Sequence, residues 1–313
     1  MKNFHLDLVR VTEAGAISAA EWVGRGDKEA ADKAATNAMR DRLNKIDFSA
    51  EIAIGEGKKD NSHGLYEGEM VGAGWEIYPS TPEQCIFGNV LYDIAIDPIE
   101  GTTPTAKGGY EAMSVIALAN KDCFYKTERF YMMKLAVGPK VAKRANLQLD
   151  MGIGEVVSHV ADALGKNLEH VTVCVLDRPR SQPLVEALRV LGCRIKFISD
   201  CDVTACIATC VEDSGIDLYW SIGGSPEAVI AAAAMKCMGG YMLCSEVNDD
   251  FKLVGKSLTM EDLAKGPTMF AATGITDGSL LEGVRFTARG PITNSIAMRS
   301  ESGTIRRIRT EHG

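Results

Sequence analysis

The stretch YDIAIDPIEGTTPTAKG, residues 92–108, begins as an apolar strand and ends in a turn that carries two carboxylates. Its aromatic and β-branched residues predict a buried strand over 92–97, and the proline and glycine that follow are typical of a turn. Asp97 and Glu100 therefore lie where a strand leaves the core. They are either ordinary turn residues or oxygen ligands for a cation and a phosphate.

The whole chain has the composition of a globular protein. Its 313 residues are 46% hydrophobic and 24% charged, which is enough chain for one large domain or two modest ones. The formal net charge of -8 argues against a nucleic-acid or anionic-membrane partner, since both favour a basic surface. A small anionic substrate is compatible with this charge, because a bound metal can dominate the local field.

No apolar run approaches the ~20 residues that a membrane span needs, and residues 1–15 lack the apolar core of a secretion signal. We therefore expect a cytoplasmic protein that binds neither nucleic acid nor membrane. The nine cysteines agree with this expectation, because they are scattered and form no C-x-x-C pair. We expect reduced thiols, and we expect any metal site to be made of carboxylates.

The periodicity of the apolar residues changes near the middle of the chain. Before this point, helical patterns over 6–23 and 27–46 precede several strands, with Asp27 as an N-cap of the second helix. After it, helices and strands alternate, which predicts a mostly parallel sheet covered by helices. We therefore predict an α/β protein in two parts, 1–150 and 151–313. The C-terminal tail returns to short strands, and its arginine-rich end predicts an exposed edge strand.

Five acidic residues stand near the ends of predicted helices or strands: Asp32, Glu56, Asp97, Glu100 and Glu227. Taken singly, each has a structural explanation. Asp97 precedes a proline, as is common in turns, and Glu227 in a first helical turn complements the helix dipole. Taken together they predict a site, because Mg²⁺ prefers carboxylate and water oxygens, often completed by substrate phosphate. Strand ends are where an α/β scaffold brings such groups to one crevice.

Neighbouring residues strengthen this prediction. Lys28 lies one helical turn before Asp32, and the hydroxyl of Thr102 could position a metal-bound water. The backbone N–H groups of Gly101–Thr103 could hold a phosphate, and a second glycine-rich turn, IGGSPEAV, opens a helix whose start also favours an anion. The chain has no P-loop and no G-x-S-x-G, and GAG at 72–74 opens no clear G-x-G-x-x-G helix, so a dinucleotide site is only weakly supported.

The motif DPIEGT resembles the D-P-[IL]-[DE]-G-T motif of the metal-dependent, lithium-sensitive phosphatases, which include inositol monophosphatases and fructose-1,6-bisphosphatases. A closer resemblance is to the class II fructose-1,6-bisphosphatases, the GlpX-like bacterial type. Nine stretches occur in the order seen in that family: GRGDK, NAMR, IGEG, LYEGEMVG, AIDPIEGT, YMMKLAVGP, DRPR, GGSPEAV and FAATGITDG. The resemblance covers about residues 7–309, essentially the whole chain.

The resemblance implies a layered α/β sugar-phosphatase fold in two parts. It also implies hydrolysis of the C1 phosphate of fructose 1,6-bisphosphate to fructose 6-phosphate, with Mg²⁺ or Mn²⁺ as cofactor. By motif match, the metal ligands are Asp32, Glu56, Asp97, Glu100 and Glu227. We expect Thr102 and Glu56 to orient the attacking water, and Lys28 matches a lysine near the metals.

The resemblance further assigns ten substrate contacts: Gly101, Thr102, Thr103, Tyr131, Arg178, Arg180, Asp200, Asp202, Gly223 and Gly224. Arg178 and Arg180 suit the distal phosphate of a sugar bisphosphate, because a guanidinium binds phosphate in a fork. Asp200 and Asp202 could accept hydrogen bonds from sugar hydroxyls, and capping of the following helix is an equal alternative for Asp202. We also expect a homo-oligomer, either a dimer or a tetramer.

Three departures from the family pattern concern elements that face the substrate. Thr103 replaces an arginine, Arg178 stands where lysine is commoner, and residues 75–89 look like an insertion. The insertion would be a lid, an oligomer contact, an allosteric flap or a packed surface loop. The departures leave two alternatives open. The first is a sedoheptulose-1,7-bisphosphatase or a broader sugar or inositol phosphatase, and the second, from a different class, is an inactive sugar-phosphate sensor.

Overall fold

The structure is a computed structural model that describes residues 2–55, 64–76 and 91–313, apart from the side chains of residues 75 and 76. The predicted metal ligand Glu56 lies outside the described residues. Most of the predicted insertion lies outside them as well.

The described chain divides into two compact units. The first consists of the residues up to Lys126 together with Ala264–Gly313, and the second of Thr127–Leu263. The C-terminal tail therefore belongs to the same unit as the DPIEGT motif. The division of metal and substrate functions between 1–150 and 151–313 stays a prediction.

The first unit is a mixed sheet with helices packed against it. Its strands are β1 (Ser49–Ile54), β2 (Met70–Val71), β3 (Leu91–Glu100), β4 (Met113–Asn120), β11 (Thr268–Gly274), β12 (Arg285–Thr287), β13 (Gly290–Arg299) and β14 (Thr304–Glu311). Its helices are α1 (His5–Ala20), α2 (Lys28–Leu43), α3 (Ala73–Glu76) and α4 (Thr102–Lys107). Within the described residues the strand order is β12-β13-β11-β4-β3-β1-β2, and β14 also pairs with β13.

A helix cap, apolar helix faces and an arginine-rich strand account for the positions of the elements in this unit. Asp27 caps α2 as predicted, because its Oδ1 accepts a hydrogen bond of 2.9 Å from the backbone N–H of Ala30. One face of each long helix supplies buried apolar residues to a core that the strands complete, including Leu8, Met39, Ile52, Ile94 and Ile116. The predicted arginine-rich edge strand is confirmed as β14, whose arginines are exposed.

The second unit is also a mixed sheet with helices packed against it. Its strands are β5 (Tyr131–Val137), β6 (Thr172–Leu176), β7 (Arg194–Ile198), β8 (Leu218–Gly224), β9 (Tyr241–Val247) and β10 (Leu253–Thr259). Its helices are α5 (Pro139–Ala142), α6 (Ile153–Leu164), α7 (Gln182–Val190), α8 (Asp202–Ala208), α9 (Ser225–Met238) and α10 (Met260–Leu263). The strand order is β10-β9-β5-β8-β6-β7. The predicted layered α/β class is therefore confirmed.

The prediction of a mostly parallel sheet is right for only half of this second sheet. Strands β6, β7 and β8 are parallel, as expected when helices connect them. Strand β5 is antiparallel to both of its neighbours, and β9 and β10 form a hairpin. The parallel half matters for function, because it brings the carboxyl ends of β6, β7 and β8 to one edge of the sheet.

The cysteines agree with the expectation of reduced thiols. The eight cysteines of the described part are free thiols, and five of them are buried. Among the described residues, no helix has both the length and the apolar character that crossing a bilayer requires.

Candidate active site

An irregularity in strand β3 brings Asp97 and Glu100 to one face of the first sheet. Strand residues alternate between faces, so two residues three positions apart normally point to opposite sides. Here Asp97 pairs with Val115 and Glu100 with Met113, which means that three steps along β3 match two steps along β4. The extra residue is a β-bulge, and it puts both acids on the same face. A carboxylate oxygen of each lies within 4.8 Å of the other.

The turn after Glu100 depends on glycine. Gly101 has φ 100°, a left-handed conformation that costs glycine little, and helix α4 begins directly after it at Thr102. The hydroxyl of Thr105 donates a hydrogen bond of 2.9 Å to the carbonyl of Gly101, which fixes the turn. Asp97 contributes as well, since its Oδ1 accepts a hydrogen bond of 3.0 Å from the N–H of Ile99. Thr102 therefore follows Glu100 by two residues, in a turn that these hydrogen bonds hold in place.

Lys28 and Asp32 lie on the same face of α2, as their spacing predicts. The ammonium of Lys28 donates a hydrogen bond of 2.8 Å to the hydroxyl of Thr103. This contact explains what a threonine does at the position where the family pattern has an arginine. It accepts from Lys28, whereas an arginine offers no acceptor.

In the second unit, several of the predicted substrate residues lie at or just after the carboxyl ends of the three parallel strands. Arg178 and Arg180 come after β6, and Asp200 comes after β7. A terminal nitrogen of Arg178 lies 3.0 Å from Oδ1 of Asp200, so these two side chains form an ion pair. Nε of Arg180 donates a hydrogen bond of 3.0 Å to the carbonyl of Ile222 in β8. The strand ends therefore gather two guanidinium groups at one edge of the sheet.

Asp202 belongs to a buried charge pair rather than to a helix cap. Cys201 is the N-cap of α8, so the capping interpretation of Asp202 is wrong. Instead Oδ2 of Asp202 accepts a hydrogen bond of 2.5 Å from the ammonium of Lys134 and one of 3.2 Å from the hydroxyl of Tyr219. Lys134 is fully buried and Asp202 nearly so. A side chain at Gly223 would collide with Asp202, which accounts for the glycine there.

Glu227 lies in the first turn of α9; its side chain is half-buried, and its Oε2 is buried. Burial raises the pKa of Glu227 by disfavouring the charged form, while the ammonium of Lys134 acts in the opposite direction. Among the described residues, its Oε2 has no hydrogen-bond partner. A buried carboxylate oxygen without a donor is unusual and fits the ligand of a cation. Gly224 leaves room for this carboxylate, since a side chain there would collide with it.

The chain matches the family model for bacterial fructose-1,6-bisphosphatase, glpX-encoded, over residues 2–312. The chain belongs to this family. It is 38% identical over 335 aligned residues to fructose-1,6-bisphosphatase 1 class 2 of Escherichia coli strain K12, covering 99% of this chain and 95% of that protein. The identity and coverage are the same for fructose-1,6-bisphosphatase class 2 of Shigella flexneri.

Membership of the bacterial fructose-1,6-bisphosphatase family makes the chain a phosphatase, that is, a hydrolase of phosphate esters. The family implies metal dependence, and the residues present are compatible with it. Asp97 and Glu100 offer a pair of hard oxygen ligands, and Glu227 offers a buried oxygen that lacks a donor among the described residues.

Two residues of the second unit that contact predicted substrate residues, Lys134 and Phe251, were not predicted from the sequence. Lys134 had a usable signal, because a single lysine inside the apolar run MMKLAVG predicts a buried ion pair with an acid from elsewhere. Phe251 had no local signal. Its ring lies 5.3 Å from the guanidinium carbon of Arg180, and that contact depends entirely on how the sheet is assembled.

Proposed function

We propose that the chain hydrolyses the C1 phosphate ester of fructose 1,6-bisphosphate, giving fructose 6-phosphate and inorganic phosphate. The chain belongs to the bacterial fructose-1,6-bisphosphatase family, and one structural observation supports this activity most directly. The bulge in β3 puts the carboxylates of Asp97 and Glu100 on one face, directly before the Gly101–Thr102 turn. Such a pair of acids, directly before a glycine turn that opens a helix, suits a cation and a phosphoryl group.

We propose Mg²⁺ or Mn²⁺ as the cofactor, because both are hard cations that carboxylates bind well. The proposed ligands are Asp32, Glu56, Asp97, Glu100 and Glu227. When bound, the cation would polarise the phosphoryl oxygens and lower the pKa of water. The acids of the chain would hold this charge in place, and the buried position of Glu100 restricts water around its own carboxylate.

The hydroxyl of Thr102 is proposed to hold the attacking water in line with the bond that breaks, together with the carboxylate of Glu56. The water oxygen bonds to phosphorus and the bond from phosphorus to the C1 oxygen breaks; the proton that the water gives up ends on the C1 oxygen. Lys28, held by Thr103, places a positive charge beside this turn and favours the phosphate dianion. Most of the acceleration then comes from positioning and electrostatics.

The distal phosphate is assigned to Arg178 and Arg180, whose guanidinium groups lie at the ends of the parallel strands. Tyr131 lies beside Arg180 and pairs with Gly224 in the sheet, so it belongs to the same edge. We assign the sugar hydroxyls to Asp200 and Asp202, together with the backbone at Gly223 and Gly224.

The test is a phosphate-release assay with fructose 1,6-bisphosphate, sedoheptulose 1,7-bisphosphate and an inositol monophosphate, each with Mg²⁺, with Mn²⁺ and with EDTA. We expect the highest kcat/KM on fructose 1,6-bisphosphate and no release with EDTA. Faster release from either other ester would indicate the broader phosphatase. Binding of the bisphosphate without any release would indicate an inactive sensor. A homo-oligomeric state and a cytoplasmic location stay predictions, which sedimentation and cell fractionation would check.

Replacing Thr103 by Val is expected to lower kcat/KM about fivefold, because it removes the acceptor that holds Lys28. Thr103→Ser keeps the hydroxyl and should stay within about twofold of the parent. Phosphate release measures both. Equal losses in the Val and Ser variants would show that the hydrogen bond to Lys28 is irrelevant to turnover.

A further inference from the structure

Phe251 occupies the hairpin between β9 and β10 in a conformation that a bulky residue rarely adopts. Its φ is 58°, in the left-handed region, where a side chain with a Cβ is strained. The turn is tightly held. The Oδ1 of Asn248 accepts hydrogen bonds from the N–H groups of Asp250 and Lys252, at 3.1 and 2.9 Å. The N–H of Phe251 itself donates to the carbonyl of Asn248 at 2.9 Å.

The strained backbone directs the ring of Phe251 onto a cationic group. The guanidinium carbon of Arg180 lies 5.3 Å from the centroid of this ring and 4.7 Å from that of Tyr131. The two rings meet edge to face, with centroids 5.8 Å apart. Both distances from Arg180 are within the range of a cation–π contact. Together with the hydrogen bond from Nε to Ile222, the rings leave the guanidinium little freedom to turn.

Core packing does not account for this arrangement. Phe251 is 36% exposed and Tyr131 is 40% exposed, and both line a groove of about 650 Å³ whose lining also includes Arg129, Glu246 and Asp249. A half-exposed aromatic ring gains little from burial, so burial alone gives small compensation for a strained backbone. Nε of Arg180 already donates to Ile222, so the two terminal nitrogens are the donors of this guanidinium that remain. Among the described residues, none accepts a hydrogen bond from them.

We propose that Phe251 is a positioning residue for the distal phosphate: its ring, with that of Tyr131, holds the guanidinium of Arg180 so that its two terminal nitrogens face a phosphate group. This inference rests on the proposed function and deepens it, since it names the residue that favours bisphosphates over monophosphates. A fork of two N–H donors matches a phosphate only in one orientation, and rings that fix the orientation reduce the entropy lost on binding.

The main test is Phe251→Gly, which removes the ring and also relieves the left-handed backbone. We expect KM for fructose 1,6-bisphosphate to rise about fivefold with kcat within about twofold. KM for fructose 1-phosphate, which lacks the distal phosphate, should not change. The melting temperature should stay the same or rise. Phe251→Tyr keeps an aromatic ring and should retain the parent KM.

A matched control is Phe197→Ala, since Phe197 is 43% exposed on β7 in the same unit, and it should alter neither KM. The proposal is overturned if Phe251→Gly raises both KM values equally, or if it lowers the melting temperature while KM stays constant. If the parent protein releases no phosphate from any ester, the proposed function fails. Calorimetric binding of fructose 6-phosphate then still decides the inference. Weaker binding to Phe251→Gly supports it, and equal binding overturns it.

Discussion

Replacing Glu100 by Gln is expected to reduce phosphate release at least about a hundredfold, the effect seen when one group that stabilises developing charge is removed. Glu100 is 4% exposed and lies at the bulge that puts it beside Asp97. Gln has the same shape and keeps the packing, but it offers only one good oxygen ligand and no charge. We therefore expect an unchanged melting temperature, and direct titration with Mn²⁺ should show weaker binding.

Asp93→Asn is the matched control, because Asp93 is a buried acid on the same strand whose contacts are with other groups of the protein and not with the proposed cation. Its Oδ1 lies 3.0 Å from the ammonium of Lys121, and its Oδ2 accepts a hydrogen bond of 3.1 Å from the N–H of Cys123. Loss of this charge should lower the melting temperature and leave kcat within about twofold. Full metal-dependent turnover by Glu100→Gln would contradict the assignment of Glu100 as a ligand.

Much of the fold could be predicted because its signals are local. The side chain of Asp27 caps α2 through a residue three positions away, and the alternation of helix and strand from α6 to α9 follows from short periodic patterns. Strand direction was harder. Buried strands such as β5 read as apolar runs whether their neighbours are parallel or antiparallel, so the sequence did not indicate that β5 would enter the second sheet antiparallel.

For the candidate site too, local features could be predicted and long-range contacts could not. The sequence predicts Asp97 and Glu100 as oxygen ligands only when they are taken together with the other acids, and this role stays a prediction. Their common face could not be predicted, because it depends on how β3 pairs with Val115 and Met113, which come later in the chain. The apolar run around Lys134 indicates a buried ion pair, but not that Asp202 is the partner, because the two residues are 68 positions apart and local rules offered Asp202 only a sugar contact or a helix cap.

Replacing Lys134 by Met is expected to destabilise the protein by about 3–5 kcal/mol, the usual effect of leaving a buried charge without its partner. Burial alone would lower the pKa of Lys134, but the carboxylates of Asp202 and Glu227 outweigh burial and raise its pKa above the ordinary value. The ammonium is therefore charged in the folded protein. Met fills a similar volume without charge, so the variant isolates the electrostatic part, and urea unfolding followed by circular dichroism measures it.

Lys166→Met gives the comparison, because Lys166 forms the same kind of pair in the same unit at the surface. Its ammonium lies 2.7 Å from Oδ1 of Asp217, and the lysine side chain is 41% exposed, although that of Asp217 is 10% exposed. Water already solvates such a charge, so its loss should lower the free energy of unfolding by less than about 1 kcal/mol. Equal losses in the Lys134 and Lys166 variants would mean that burial of Lys134 has no energetic role.

The double variant Lys134→Met with Asp202→Asn separates charge pairing from packing. In Lys134→Met, the carboxylate of Asp202 is buried without its partner. If this unpaired charge causes the loss of stability, neutralising Asp202 in the double variant should restore more than half of the free energy of unfolding that the single variant lost. Strict additivity of the two single effects would show that Lys134 contributes packing only. Stability must be the measurement here, because Asp202 is also proposed to contact the sugar. The carboxyl group of Glu227 also loses the nearby ammonium of Lys134 in the double variant, which is why we expect the recovery to be incomplete.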